Sequence, residues 1–85
     1  MRTALLKTKA EDERLFKKAL GAQVAQLRHA RKLTQAIIRQ RTELSVEYIS
    51  RLENGQENPT TLTLRNLVHN GLDMRLLDFF RRLKA

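Results

Sequence analysis

Residues 34–55 read TQAIIRQRTELSVEYISRLENG. The run predicts two short helices joined by a brief polar turn. Thr34 can cap a helix over residues 35–41. Thr42, Glu43 and Leu44 make the turn. Ser45 can cap a third helix over residues 46–54, because its hydroxyl accepts from the free amides of a first helical turn. Ile49 and Leu52 face inward at a spacing of three. Asn54-Gly55 stops the helix, since both residues tolerate the left-handed conformation.

Outward from this run the chain stays helical. Glu11, Asp12 and Glu13 make an acidic first turn, which favours a helix N-terminus. Phe16, Leu20, Val24 and Leu27 then recur at steps of four, four and three, the stripe of an amphipathic helix from about Asp12 to about Arg31. Gly21 weakens that helix by roughly 1 kcal/mol relative to Ala, which points to a close contact or a kink. Residues 56–59 form a loop. Thr60 or Thr61 caps a fourth helix with Leu64, Leu67 and Val68 on its apolar side, ending at Asn70-Gly71. A fifth, about Arg75 to Leu83, carries Leu76, Leu77, Phe79, Phe80 and Leu83. The expected fold is all-α: a compact five-helix bundle, with residues 1–10 a flexible basic arm and 11–85 a single domain.

Composition narrows the class. The 85 residues include three Gly and one Pro, too few for a turn-rich all-β fold. The absence of Cys excludes disulfides, thiolate metal sites and cysteine nucleophiles. His29 and His69 lie far apart without ligand-spaced partners, so no metal or cofactor is expected. No stretch of about 18 apolar residues exists to span a membrane, and the N-terminal residues hold no apolar run of signal-peptide length. A cytoplasmic protein is expected. No nucleophile–base constellation or phosphate loop appears, so no enzyme is expected.

The net charge is +8. A small protein this basic usually meets a polyanion. Residues 1–32 carry +6, residues 33–58 carry −1 and residues 59–85 carry +3. The central motif is thus almost neutral, and the positive field comes from both ends. This is awkward for a simple basic patch, and fits a polyanion binder only if the arm and first helix hold phosphates while the second motif helix reads bases.

The segment Leu20 to Gly55 resembles the lambda-repressor/Cro-like (XRE) helix-turn-helix family. LGAQVAQLRHARKLTQ matches the first helix and the start of the second, and YISRLENG followed by Asn58-Pro59 matches the third helix and the loop beyond. YIS, NP and the late FF also resemble the controller proteins of restriction–modification systems, more weakly. The resemblance implies a sequence-specific, double-stranded-DNA-binding transcription regulator. Such a homodimer binds a palindromic operator and commonly represses its own gene. It further implies that Val46, Glu47, Ser50 and Arg51 face base edges. Arg51 would bond guanine O6 and N7, Glu47 would accept from a cytosine amine and Val46 would touch a thymine methyl. Gln35 sits at a phosphate position. Asn54, Gly55 and Asn58 lie where the loop approaches the backbone, and the Tyr48 hydroxyl can reach a phosphate. Arg28 and Glu53 match an internal salt bridge.

Simpler roles stand beside these. Gln35 can be a plain helix-start residue, Glu47 a charge favouring a helix N-terminus, and Tyr48 packing. Three departures stand out. Arg39 occupies a position usually held by a small residue, with Glu43 four residues on as an expected partner. Thr42 replaces an apolar residue, and Glu43 replaces the Gly or Asn of the turn. The chain is also one residue longer than usual around Asn70-Gly71-Leu72. Phe79 and Phe80 cannot both enter one small core, so a dimer contact through Leu76, Phe79, Phe80 and Leu83 is expected. RNA polymerase is a further partner if an exposed face activates transcription. The alternative is the antitoxin of a toxin–antitoxin pair, acting through a protein partner.

Overall fold

The computed structural model describes residues 8–84, and among them every regular element is helical. The helices are α1 (Lys9–Ala30), α2 (Gln35–Thr42), α3 (Val46–Glu53), α4 (Thr61–Arg65) and α5 (Leu76–Arg81). α4 runs without a break into a wide π-turn, Asn66–Gly71, and residues 72–75 connect this to α5.

Side-chain caps set the starts of four of these helices. The hydroxyls of Thr8, Thr34, Ser45 and Thr60 accept from the amides of Glu11, Ile37, Tyr48 and Thr63. Each satisfies one of the amides that a helix start leaves without a partner. Thr34 and Ser45 are the expected caps, and Thr60 proves to be the cap of α4. The Thr8 cap is an addition to these. It starts α1 at Lys9, before the acidic turn, so residues 9 and 10 of the expected arm belong to the helix and Thr8 caps it. Residues 1–7, with Arg2 and Lys7 of that arm, lie outside the described residues.

The core is formed by Leu20, Val24, Ile38, Ile49, Leu52, Leu64, Leu67, Val68, Leu72, Met74 and Phe79, all buried. At 22 residues, α1 is roughly 33 Å long. Its C-terminal half packs on α3, while Lys9 to Phe16 are exposed and project beyond the core. Phe16, the first residue of the expected stripe, is therefore 45% exposed rather than buried. The stripe becomes core only from Leu20 onward.

Gly21 and Arg28 explain how α1 meets α3. A Cβ on Gly21 would overlap the Leu52 carbonyl oxygen and lie 2.9 Å from the Glu53 carbonyl carbon. Gly21 therefore permits backbone contact between the helices and produces no break in α1. Seven residues on, the Arg28 guanidinium forks onto Glu53, from Nε to Oε2 at 2.7 Å and from Nη2 to Oε1 at 3.1 Å. Its Nη1 donates to the Leu33 carbonyl at 2.9 Å, tying in the α1–α2 connection. Gln35, at the start of α2, donates to Glu53 Oε1 at 3.1 Å.

The three departures from the motif are each accommodated locally. Arg39 is exposed, and no ion pair with Glu43 forms among the described residues, so the expected pair is not made. Thr42 is the last residue of α2 and is buried. Its hydroxyl donates to the Ile38 carbonyl, which satisfies the polar atom that stands in place of a hydrocarbon. Glu43 takes φ 65°, the left-handed turn conformation that costs a side-chain-bearing residue about 1–2 kcal/mol. In the π-turn the Leu72 amide donates five residues back to the Leu67 carbonyl at 3.0 Å. Arg41 donates to the Gly71 carbonyl and Asn66 to the Thr42 carbonyl, fastening this turn to α2.

Phe79 is fully buried, and its carbonyl accepts from the buried Gln23 amide at 2.6 Å. It belongs to this chain's own core, which corrects its assignment to a dimer contact. Phe80 meets it edge-on and stays 41% exposed. The rule that two adjacent aromatics cannot share one core holds, with Phe80 the outward member.

Two substitutions test this packing. Gly21→Ala should lower stability by about 2 kcal/mol or more, through backbone overlap with Leu52, read as a lower urea midpoint. Glu43→Asn should raise the midpoint by the equivalent of about 0.5–1 kcal/mol, because Asn adopts the left-handed region more readily.

Candidate nucleic-acid interface

On α3 the burial pattern separates a core face from an open one. Ile49 and Leu52 are 0% and 1% exposed, while Glu47 and Arg51 face solvent. Val46 and Ser50 are half-buried at the edges of the open face. All four residues expected to meet base edges therefore share one helix of eight residues, Val46–Glu53. The helix is stopped at the expected place. The amides of Asn54, Gly55 and Gln56 donate back to carbonyls of α3, and Gly55 takes φ 76°. A Cβ on Gly55 would lie 3.0 Å from the Lys18 Cα, so this turn seats against the middle of α1.

These bonds define what the end of α3 can offer a ligand. The Gly55 amide is occupied by the Leu52 carbonyl at 3.0 Å. Gly55 is thus a turn residue with no free donor, and it does not fit the phosphate role given to it. The Asn54 side chain donates to the Ser50 carbonyl at 2.8 Å. Asn58 is exposed and borders a groove between α1 and α5, together with Phe16 and Phe80.

At the start of α2, Arg28, His29, Lys32, Leu33, Thr34 and Gln35 line a shallow hollow. Gln35 has its amide nitrogen on Glu53. It therefore works inside the protein, as well as standing at the position matched to a phosphate ligand. His29 and Lys32, at the rim, are not marked as DNA-facing by the sequence. Lys32 lies in the connection after α1 with φ 56°, a place no helical periodicity would mark.

Tyr48 is half-buried. Burial pushes its phenol above the ordinary value, and the Glu57 carboxylate adds to this while Arg51 opposes it. The phenol is therefore a neutral O–H donor near pH 7. Glu57, in the loop after α3, is the residue that sequence reasoning missed. It pairs with Arg51, from Nε to Oε2 at 2.7 Å. The two lie six residues apart across a turn, a separation that no helical pairing rule flags.

Among the described residues, no cluster of His, Cys, Asp and Glu is arranged to hold a metal, and no helix is long and apolar enough to cross a membrane.

Comparison with known proteins agrees with this geometry. Residues 19–69 match the model of a helix-turn-helix domain family. The chain is 41% identical over 52 residues to an HTH-type transcriptional regulator of Sinorhizobium fredii, y4dJ, itself uncharacterised; the match spans 61% of this chain and 68% of the relative. Among solved structures, the clp gene regulator ClgR of C. glutamicum superposes with a TM-score of 0.73 at 24% identity, covering 78% of this chain and 83% of that one. The wild-type restriction-modification controller protein C.Esp1396I gives a TM-score of 0.70 at 24% identity, covering 78% and 86%. At this identity the two superpositions speak for the fold alone. With the motif matched in sequence, capped as expected and pinned by the Arg28–Glu53 pair, the chain belongs to the helix-turn-helix family, among the DNA-binding transcription regulators of the lambda-repressor/Cro-like (XRE) type.

Proposed function

We propose that this regulator reads a palindromic operator as a homodimer and controls its own gene. The observation that carries the reading is α3 itself. It buries Ile49 and Leu52 completely and turns Glu47 and Arg51 outward, with Val46 and Ser50 beside them. A helix held in this way can lie in a major groove with its polar face on the base edges. Arg51 then reads guanine. Val46, Glu47 and Ser50 make the neighbouring base contacts. Gln35, Tyr48, Asn54 and Asn58 approach phosphates, and Lys32 adds charge at the start of α2.

Dimerisation rests on apolar surface that one copy leaves open. Leu77 and Phe80 on α5 are 57% and 41% exposed, and Leu76 and Leu83 are partly buried beside them. Phe80 and Leu83 continue into the groove with Leu15 and Phe16 on the projecting half of α1. The rim of that groove carries Asp12 and Glu13 as well as Lys17 and Lys84. Two copies each carrying +8 repel. A face with both signs around an apolar centre suits a two-fold contact, in which acid of one copy meets base of the other.

Selection from a random duplex library at moderate salt tests the reading. It should enrich a palindrome whose half-sites are centred about 34 Å, or about 10 bp, apart. Binding without enrichment would reduce the interaction to the charge of the chain. Arg51→Ala should relax one base position in each half-site by roughly 5- to 150-fold, the worth of one good bidentate contact, measured by repeating the selection. The paired change Leu77→Glu and Phe80→Glu should move the protein toward monomer in sedimentation and weaken operator binding. A reporter driven by the DNA upstream of its own gene should respond to the protein.

A further inference from the structure

Arg51 is tethered before any DNA arrives. Its Nε donates to Glu57 Oε2 at 2.7 Å, and this is the guanidinium's only hydrogen bond among the described residues. Nη1 and Nη2 remain open. The Arg51 side chain is 49% exposed and that of Glu57 only 26%. The carboxylate thus sits partly sheltered beside the recognition helix, and the arginine reaches out from it.

A carboxylate on a face that meets phosphates is unfavourable by Coulomb's law, so its place beside Arg51 calls for a compensating role. The geometry distinguishes two. A carboxylate that blocks the arginine would fork across both Nη atoms and compete with guanine. Here it takes Nε alone. A guanidinium can meet guanine O6 and N7 either through Nε and one Nη or through both Nη atoms. With Nε engaged, the end-on pair remains, and the plane and direction of the fork are fixed in advance. Pre-orientation of this kind reduces the side-chain freedom that binding must remove.

We propose that Glu57 is the positioning residue for Arg51: it holds the guanidinium through Nε and presents Nη1 and Nη2 to guanine O6 and N7. The inference rests on the base-reading role proposed for Arg51. The same carboxylate repels phosphates, so it weakens binding to arbitrary DNA while sharpening the choice of base. Its charge also reaches Tyr48, whose phenol it helps to keep protonated.

The test compares the full-length wild type with Glu57→Ala, Glu57→Gln and Arg51→Ala by fluorescence anisotropy. Three duplexes serve as probes: the selected operator, the operator with the base pair read by Arg51 replaced, and a random sequence. Glu57→Ala should reduce discrimination between the first two by about 5- to 10-fold and tighten binding to the random duplex. Glu57→Gln should keep most of the discrimination, because its amide oxygen still accepts from Nε, while it too binds the random duplex more tightly. If Glu57→Ala tightens all three equally and leaves discrimination intact, Glu57 is a repelling charge and the proposal is overturned. If Glu57→Ala sharpens discrimination, the residue is a competitor of guanine and the proposal is equally overturned. Arg51→Ala separates this from failure of the underlying reading. Should it relax no position, the base-reading role falls and the proposal with it. Should it relax one while Glu57→Ala does not, only the positioning role is lost.

Discussion

The contact between α1 and α3 is the constraint on which the remaining structure depends. Gly21 lets the two backbones touch, and the Arg28–Glu53 fork fixes where along their length they do so. The same guanidinium holds the Leu33 carbonyl, and Glu53 also receives Gln35. One buried ion pair thus orients three helices. A buried pair is weak as a source of net stability, since desolvation offsets much of its attraction. Its value here is geometric. It admits one register between the helices, and the register aims α3.

Aimed in this way, α3 divides a packed face from an open one within eight residues. Ile49 and Leu52 anchor it to the core, so its opposite face is presented by a helix that cannot roll. The loop beyond completes the face by returning Glu57 to Arg51. Charge is distributed to match. The motif is nearly neutral, and the cations lie before and after it in the chain. A reader built on this plan gains affinity from its flanks and choice from its centre.

Most of the fold was legible because its signals are local. Thr34 and Ser45 announce helix starts, Asn54-Gly55 a helix stop, and the spacing of Leu20, Val24, Ile49 and Leu52 two buried faces. The Arg28–Glu53 pair was legible through resemblance to a family, and not through spacing, since 25 residues separate the partners. Errors arose where tertiary packing decides. Phe16 follows the stripe but lies on a part of α1 that outruns the core. Phe79 and Phe80 are equivalent in sequence, and only the placement of α5 sends Phe79 inward. Glu57 stayed hidden because its partner is defined by the path of a loop.

The central claim is that α3, held by α1, enters the major groove. Methylation interference on the selected operator tests it most directly, because guanine N7 lies in the major groove and adenine N3 in the minor. Modification of N7 should block binding at two guanines, one in each half-site and about one helical turn apart. Interference confined to adenine N3, or none at either atom, would contradict the account.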